Sequence, residues 1–110
     1  MIVTYITIVA VGALLCVFGV LNMMGNISSI HWYHRKRITE ETRKPFGRLV
    51  GGGTLTVGIS VILYAALLWA YDKTQMGWIM GIALAVLFLG IAAGLALSFY
   101  GMIKYNKGIF

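Results

Sequence analysis

Three stretches of this chain contain no charged residue: 1–30, 49–71 and 74–103. A helix crosses roughly 30 Å of hydrocarbon with about 20 apolar residues, at about 1.5 Å each, and every stretch is long enough. Backbone in lipid must satisfy its own hydrogen bonds, which leaves helices or closed barrels. Barrel strands alternate in polarity over segments of about ten residues, whereas these runs are continuous. The chain is therefore expected to be all-α, a single integral membrane domain over 1–110 with three transmembrane helices. The expected spans are about 2–24, 46–71 and 76–103, with a basic cytoplasmic loop over 25–45 between the first two. Composition points the same way: 60% hydrophobic and 11% charged, against about 45–50% apolar and about 25% charged in soluble domains.

Local signals mark the ends of the spans. Asn22, Gly25 and Asn26 favour a helix C-terminus after the first. Pro45 or Phe46 is expected to open the second, since proline suits a first helical turn. Residues 72–75 form a short connection, so the second and third spans should make an antiparallel hairpin. The third is long enough that it should tilt or project past the membrane. The first lacks a basic leader region and a small-x-small cleavage site, and it is read as a retained helix. Cys16 is the one cysteine, so no intrachain disulfide forms, and it is read as a small packing residue.

Most of the charge lies in residues 31–48, HWYHRKRITEETRKPFGR. This stretch holds six of the nine basic residues, Arg35, Lys36, Arg37, Arg43, Lys44 and Arg48, together with Glu40 and Glu41. Lys73 stands alone in the second loop, Lys104 and Lys107 follow the third span, and no basic residue precedes the first. The positive-inside rule then gives an outer N-terminus, a cytoplasmic first loop and a cytoplasmic C-terminus. Aromatic residues fit that orientation, with Trp32, Tyr33, Tyr100 and Tyr105 at the inner boundary and Tyr5, Trp69, Tyr71 and Trp78 at the outer one. The location implied is a bacterial inner membrane.

The basic loop admits several chemistries. Mixed aromatic and basic residues also occur in single-strand nucleic-acid binders, but here the stretch begins where a span ends, so no nucleic-acid partner is expected. His31 and His34 would share a helical face, but no acid or cysteine completes a metal set, so no metal or other cofactor is expected. The reading adopted is an interfacial segment, with Trp32, Tyr33, Arg35, Lys36, Arg37, Arg43, Lys44 and Arg48 contacting anionic lipid headgroups or a protein partner. Thr39, Glu40 and Glu41 resemble a cap and an acidic first turn, so a helix starting near Thr39 either runs through Pro45 or breaks there.

Small residues are concentrated in the spans, which hold most of the 14 glycines. Helices in lipid associate by close packing over such residues. In the second span Gly47, Gly51, Thr54, Gly58 and Ala65 share one face, and Gly52, Thr56 and Ser60 lie roughly opposite. In the third, Ala83, Gly90, Gly94 and Gly101 share a face, with Gly81, Ala85, Ala92 and Ala96 across from it. The first offers Gly12, Cys16 and Gly19. Opposed small faces on two helices point to contacts beyond the bundle, either a homo-oligomer or a larger complex.

Catalytic chemistry is not visible. Apart from Arg48 at the start of the second, no Asp, Glu, Lys, Arg or His lies inside an expected span, which argues against a proton-coupled transporter or an intramembrane protease. Gly51-Gly52-Gly53 lacks the context of a phosphate loop. The span hydroxyls, Thr54, Thr56 and Ser60 among them, can bond back to their own helix.

The run Gly25-Asn-Ile-Ser-Ser-Ile-His-Trp-Tyr-His-Arg-Lys-Arg-Ile-Thr-Glu-Glu41, followed by Phe46-Gly-Arg48 and a glycine-started helix, resembles small uncharacterised three-span membrane proteins of Gram-positive bacteria. There a polar loop with a Tyr-x-x-(Thr or Arg) element joins the first two spans. The resemblance covers residues 24–58, and His31-Trp-Tyr-His34 replaces the commoner Gly-Tyr-Asn-Thr. It implies a three-span fold and no catalytic residue. The expected function is that of a non-enzymatic inner-membrane protein acting by self-association or as a subunit of a larger complex. The alternatives are an oligomeric small channel or transporter, with Thr54 and Ser60 lining a shared axis, or a holin-like pore former.

Overall fold

The computed structural model describes residues 2–27, 30 and 37–108. Three helices occur among them: α1, Ile2–Met23; α2, Glu40–Thr74; and α3, Gly77–Tyr105. All are long and apolar enough to cross a membrane. No strand occurs among the described residues.

The first helix ends as its composition predicts. Gly25 takes φ +100°, open to glycine at no steric cost. The Asn26 N–H then bonds to the Leu21 carbonyl and the Gly25 N–H to that of Asn22, each at 3.0 Å, which together make a Schellman stop.

The second helix extends beyond the expected 46–71 span at both ends, and it starts at the Thr39 cap that the sequence predicts. Thr39 is its N-cap in extended conformation, and its N–H donates to the Thr42 hydroxyl at 3.0 Å. Glu40 and Glu41 occupy the positive end of the helix dipole. The helix runs through Pro45. The proline removes one ladder bond, to the carbonyl of exposed Glu41, and the fully buried Phe46 beside it holds the helix in place. The last part of the 25–45 loop is therefore helical from Glu40 on, as the Thr39 cap signal predicts. At 35 residues, α2 rises about 52 Å, comparable to the 51 Å long axis of the molecule.

The expected connection over 72–75 is shorter still, because α2 continues to Thr74 and α3 begins at Gly77. Gln75 makes the turn with φ 57°. Its N–H bonds to the Tyr71 carbonyl at 2.6 Å, and its side-chain amide donates to the Asp72 carbonyl at 3.1 Å. The amide thus caps a carbonyl that the helix leaves without a partner. Gln75→Gly relieves the left-handed backbone but loses this amide, so thermal stability should stay within about 0.5 kcal/mol. A β-branched Gln75→Val loses both and should destabilise by about 1–2 kcal/mol in detergent melts.

The order of the helices in space follows from their contacts. α2 packs against α1 on one side and α3 on the other, and α1 and α3 scarcely touch. Along the first seam, Gly12 meets Gly58, Gly19 meets Gly51, and Asn22 meets Gly47. Along the second, Ser60 meets Gly90, Gly53 meets Gly94, and Leu49 and Val50 meet Gly101. Each pairing runs up one helix and down the other, so both neighbours are antiparallel to α2. A small apolar core closes the end nearest the loop, where Ile30, Phe46, Val50 and Met102 pack together with Ile27, Ile38 and Tyr105 around them.

Candidate functional site

At the loop end, the basic residues take different partners. Arg37 is tied to the end of α3. Its backbone N–H donates to the Asn106 side-chain oxygen at 2.7 Å, and its guanidinium donates to the Asn106 carbonyl at 3.0 Å. Asn106 is fully buried, and its side-chain amide donates to the Gly108 carbonyl at 3.1 Å. The arginine thus meets the carbonyl-rich, negative end of α3, where a cation is favoured. Arg43 pairs with Glu40 at 3.2 Å, one helical turn back. The Lys44 stem lies over Gly25, where an added Cβ would come within 3.5 Å of it. Arg48 is exposed. Lys104 stands 5.6 Å from the Tyr100 ring and 5.4 Å from the Tyr105 ring, within cation–π range. Trp32, Tyr33, Arg35, Lys36, His31 and His34 lie outside the described residues. Among the described residues no group of His, Cys, Asp and Glu could hold a metal ion.

Sequence periodicity does not single out Asn106. Its one sequence signal is a polar residue in a helix-ending position with Gly108 two residues on. Arg37, expected to face headgroups, is exposed, and one guanidinium nitrogen also donates to the Asn106 carbonyl within the chain. Phe46, read as an ordinary start of a span, is instead the centre of the loop-end core.

The glycine positions divide sharply. A Cβ on Gly19 would lie 2.7 Å from both the Gly51 carbonyl oxygen and the Leu55 nitrogen. One on Gly58 would meet the Cys16 sulfur and the Gly12 carbonyl at 2.8 Å. Those on Gly47, Gly51, Gly90 and Gly94 would meet Asn22, Gly19, Ser60 and Val57. One on Gly101 would meet Leu49 at 2.9 Å. At the seam of α1 and α2 the hydrogen of one glycine thus points at the carbonyl of the other, the weak Cα–H···O contact of close helix pairs.

Two expectations about α2 need correction. The face opposite Gly51 is not centred on Gly52, where an added Cβ meets nothing within 4 Å, but on Gly53, whose Cβ would meet the Gly94 carbonyl and Ser98. The two opposed small faces of α2 are also both used inside the chain, because α2 is the middle helix. On α2 only Gly52 remains open among the glycines. Only α3 keeps an unused small face, where Gly81, Ala85, Ala92 and Ala96 are all exposed. The hydroxyls of Thr54, Thr56 and Ser60 donate to the carbonyls four residues back, of Val50, Gly52 and Thr56, at 3.0, 2.7 and 2.8 Å. Ser60 is buried against Gly90 of α3.

The other end of the molecule holds the remaining charges. The Tyr5 hydroxyl donates to the Asp72 carboxylate across the α1–α2 boundary. The Lys73 ammonium lies 6.0 Å from the centre of the Trp69 ring. Beneath them an open groove of about 810 Å³ runs between α1 and α2.

Neither a protein family, nor a curated protein, nor a solved structure was found to match the chain.

Proposed function

We propose that this chain is a non-enzymatic inner-membrane protein of bacteria that acts by associating with itself or with a larger membrane complex. The outward face of α3 is the contact surface. The observation that carries this reading is the exposure of Gly81, Ala85, Ala92 and Ala96 on α3, while the small faces of α2 are occupied within the chain. Helices gain no hydrophobic energy by meeting in lipid, so a strip that lets backbones approach closely is where van der Waals association is strongest. The packing of the other seams depends on glycine in the same way. The orientation proposed has the N-terminus outside and the loop end, with six basic residues in 31–48, in the cytoplasm. There Arg43, Lys44 and Arg48, with the flanking loop, contact anionic headgroups or a protein partner. A pore lined by Thr54 and Ser60 finds no support, because Ser60 faces α3.

The test is the mass of the chain in lipid nanodiscs by native mass spectrometry. A closed oligomer, or a complex with a second protein, is expected. Gly81→Leu with Ala92→Leu should convert either to monomer, weakening association at least about tenfold, or about 1.4 kcal/mol. A Cβ on Gly81 meets nothing within 4 Å, so the fold itself should be untouched. A monomeric mass for the unmodified chain in native membranes sinks the reading. So does an assembly that the double substitution leaves intact.

A further inference from the structure

The glycine contacts between α1 and α2 end at Gly12 and Gly58. Beyond them neither helix has a glycine, and the groove opens between the two. Val9, Ile62, Ala65 and Ala66 line its depth, so it is apolar there. Its mouth carries Tyr5, Trp69, Asp72 and Lys73. Asp72 and Lys73 are consecutive, and they are the one acid and the one base between Arg48 and Lys104. Asp72 is bound by the Tyr5 hydroxyl, which fixes its carboxylate from the opposite helix. The groove thus has an apolar slot at membrane depth and an anion beside a cation where the apolar helices end. Its volume of about 810 Å³ lies within the roughly 300–1,000 Å³ typical of small-molecule sites.

We propose that this groove binds a phospholipid with a zwitterionic amino headgroup. One acyl chain lies along Val9, Ile62 and Ala66. The phosphate meets Lys73, and the headgroup ammonium meets Asp72. Charge complementarity selects this occupant. A primary ammonium offers three N–H donors to a carboxylate, and such charge-assisted bonds are about twice as strong as neutral ones. An anionic lipid satisfies Lys73 but brings its second polar group against Asp72 with no cation to match it. A fatty acid places a carboxylate beside a carboxylate. Tyr5 acts as a positioning residue, since its hydroxyl leaves carboxylate lone pairs for the ligand. This site is separate from the α3 face, so it stands or falls independently of self-association.

Native mass spectrometry of the full chain in mild detergent tests the proposal, with equimolar phosphatidylethanolamine and phosphatidylglycerol as probes. A retained phosphatidylethanolamine is expected, bound at least about tenfold more tightly than phosphatidylglycerol. Asp72→Asn keeps an acceptor for Tyr5 but removes the anion, and should abolish this preference. Ala66→Trp, at an exposed position in the groove, should displace the lipid while helix content by circular dichroism stays unchanged. Equal retention of the two lipids, or no retained lipid, overturns the proposal. A preference that survives Asp72→Asn, or an adduct that survives Ala66→Trp with unchanged affinity, also overturns it.

Discussion

Gly51→Leu should separate α1 from α2, while Gly52→Leu, one residue along, should leave the bundle intact. The two glycines are neighbours in sequence and equal in helix propensity, so any difference between them comes from packing. A Cβ on Gly51 would collide with the Gly19 carbonyl and would lie 2.7 Å from the Met23 nitrogen. Both obstacles are backbone, which cannot rotate aside. A Cβ on Gly52 meets nothing within 4 Å. Replacing a helical glycine with leucine gains up to about 1 kcal/mol of propensity, whereas overpacking a tight site typically costs about 1–3 kcal/mol. At Gly51 the clash wins, and four carbons driven against backbone push the loss to about 3 kcal/mol or more. At Gly52 only the propensity gain remains. Unfolding by sodium dodecyl sulfate titration from mild detergent, followed by tryptophan fluorescence, should show the first variant already open and the second slightly stabilised. Gly51→Ala provides a milder version with the same sign. Equal stability of the Gly51 and Gly52 variants would falsify the seam.

The second large effect is expected at the loop end. Phe46→Ala should destabilise the chain by about 3–5 kcal/mol, the usual range for removing a fully buried phenylalanine. Phe46 is wholly inaccessible among Ile30, Val50 and Met102, which come from the loop, α2 and α3. Its removal leaves a cavity where three segments meet, so the loop loses its hold on both helices. Asn106→Ala acts on the same junction by a different route. It strips the acceptor from the Arg37 N–H and the donor from the Gly108 carbonyl. Arg37 is exposed and Gly108 half-buried, so water replaces part of what is lost and the cost should be about 1 kcal/mol. Amide hydrogen exchange at Arg37 and Ile38 should accelerate in both variants, and Asn106→Asp, which keeps the acceptor, should recover the Arg37 amide alone. Exchange at Arg37 that does not change in Asn106→Ala would mean that this hydrogen bond does not hold the loop.

How much of this was legible before folding depends on whether the cause was local. The three apolar runs, the stop at Gly25 and Asn26 and the start at Thr39 are all set by residues close in the chain. Solvation, φ preference and capping act over a few residues, so the sequence carries them. Of the two courses the sequence leaves open at Pro45, a break or a continuous helix, the helix takes the second. The loss of one hydrogen bond near a helix end is small against the burial of Phe46, which depends on segments distant in sequence.

The candidate sites were harder. Periodicity places Gly47, Gly51 and Gly58 on a common face, and they do meet α1. It does not say which helix a face meets, nor that α2 lies between the other two. A glycine at 52 and one at 53 differ by one helical step, and only the position of α3 decides that Gly53 is packed and Gly52 is open. The groove at Tyr5, Trp69 and Asp72 joins residues about 67 apart, and Arg37 reaches Asn106 across 69. No local pattern records such pairs.

The sequence by itself determined that this chain forms three membrane-length helices and where its charges concentrate, because lipid excludes charge and unsatisfied backbone wherever they occur. Tertiary structure alone decided that α2 is the central helix, that Arg37 and Asn106 join the loop to α3, and that a groove opens past Gly12 and Gly58. The reason is that in lipid every apolar neighbour is nearly equivalent in solvation. Which face meets which helix is then settled by shape and by a few polar contacts between residues far apart in the chain.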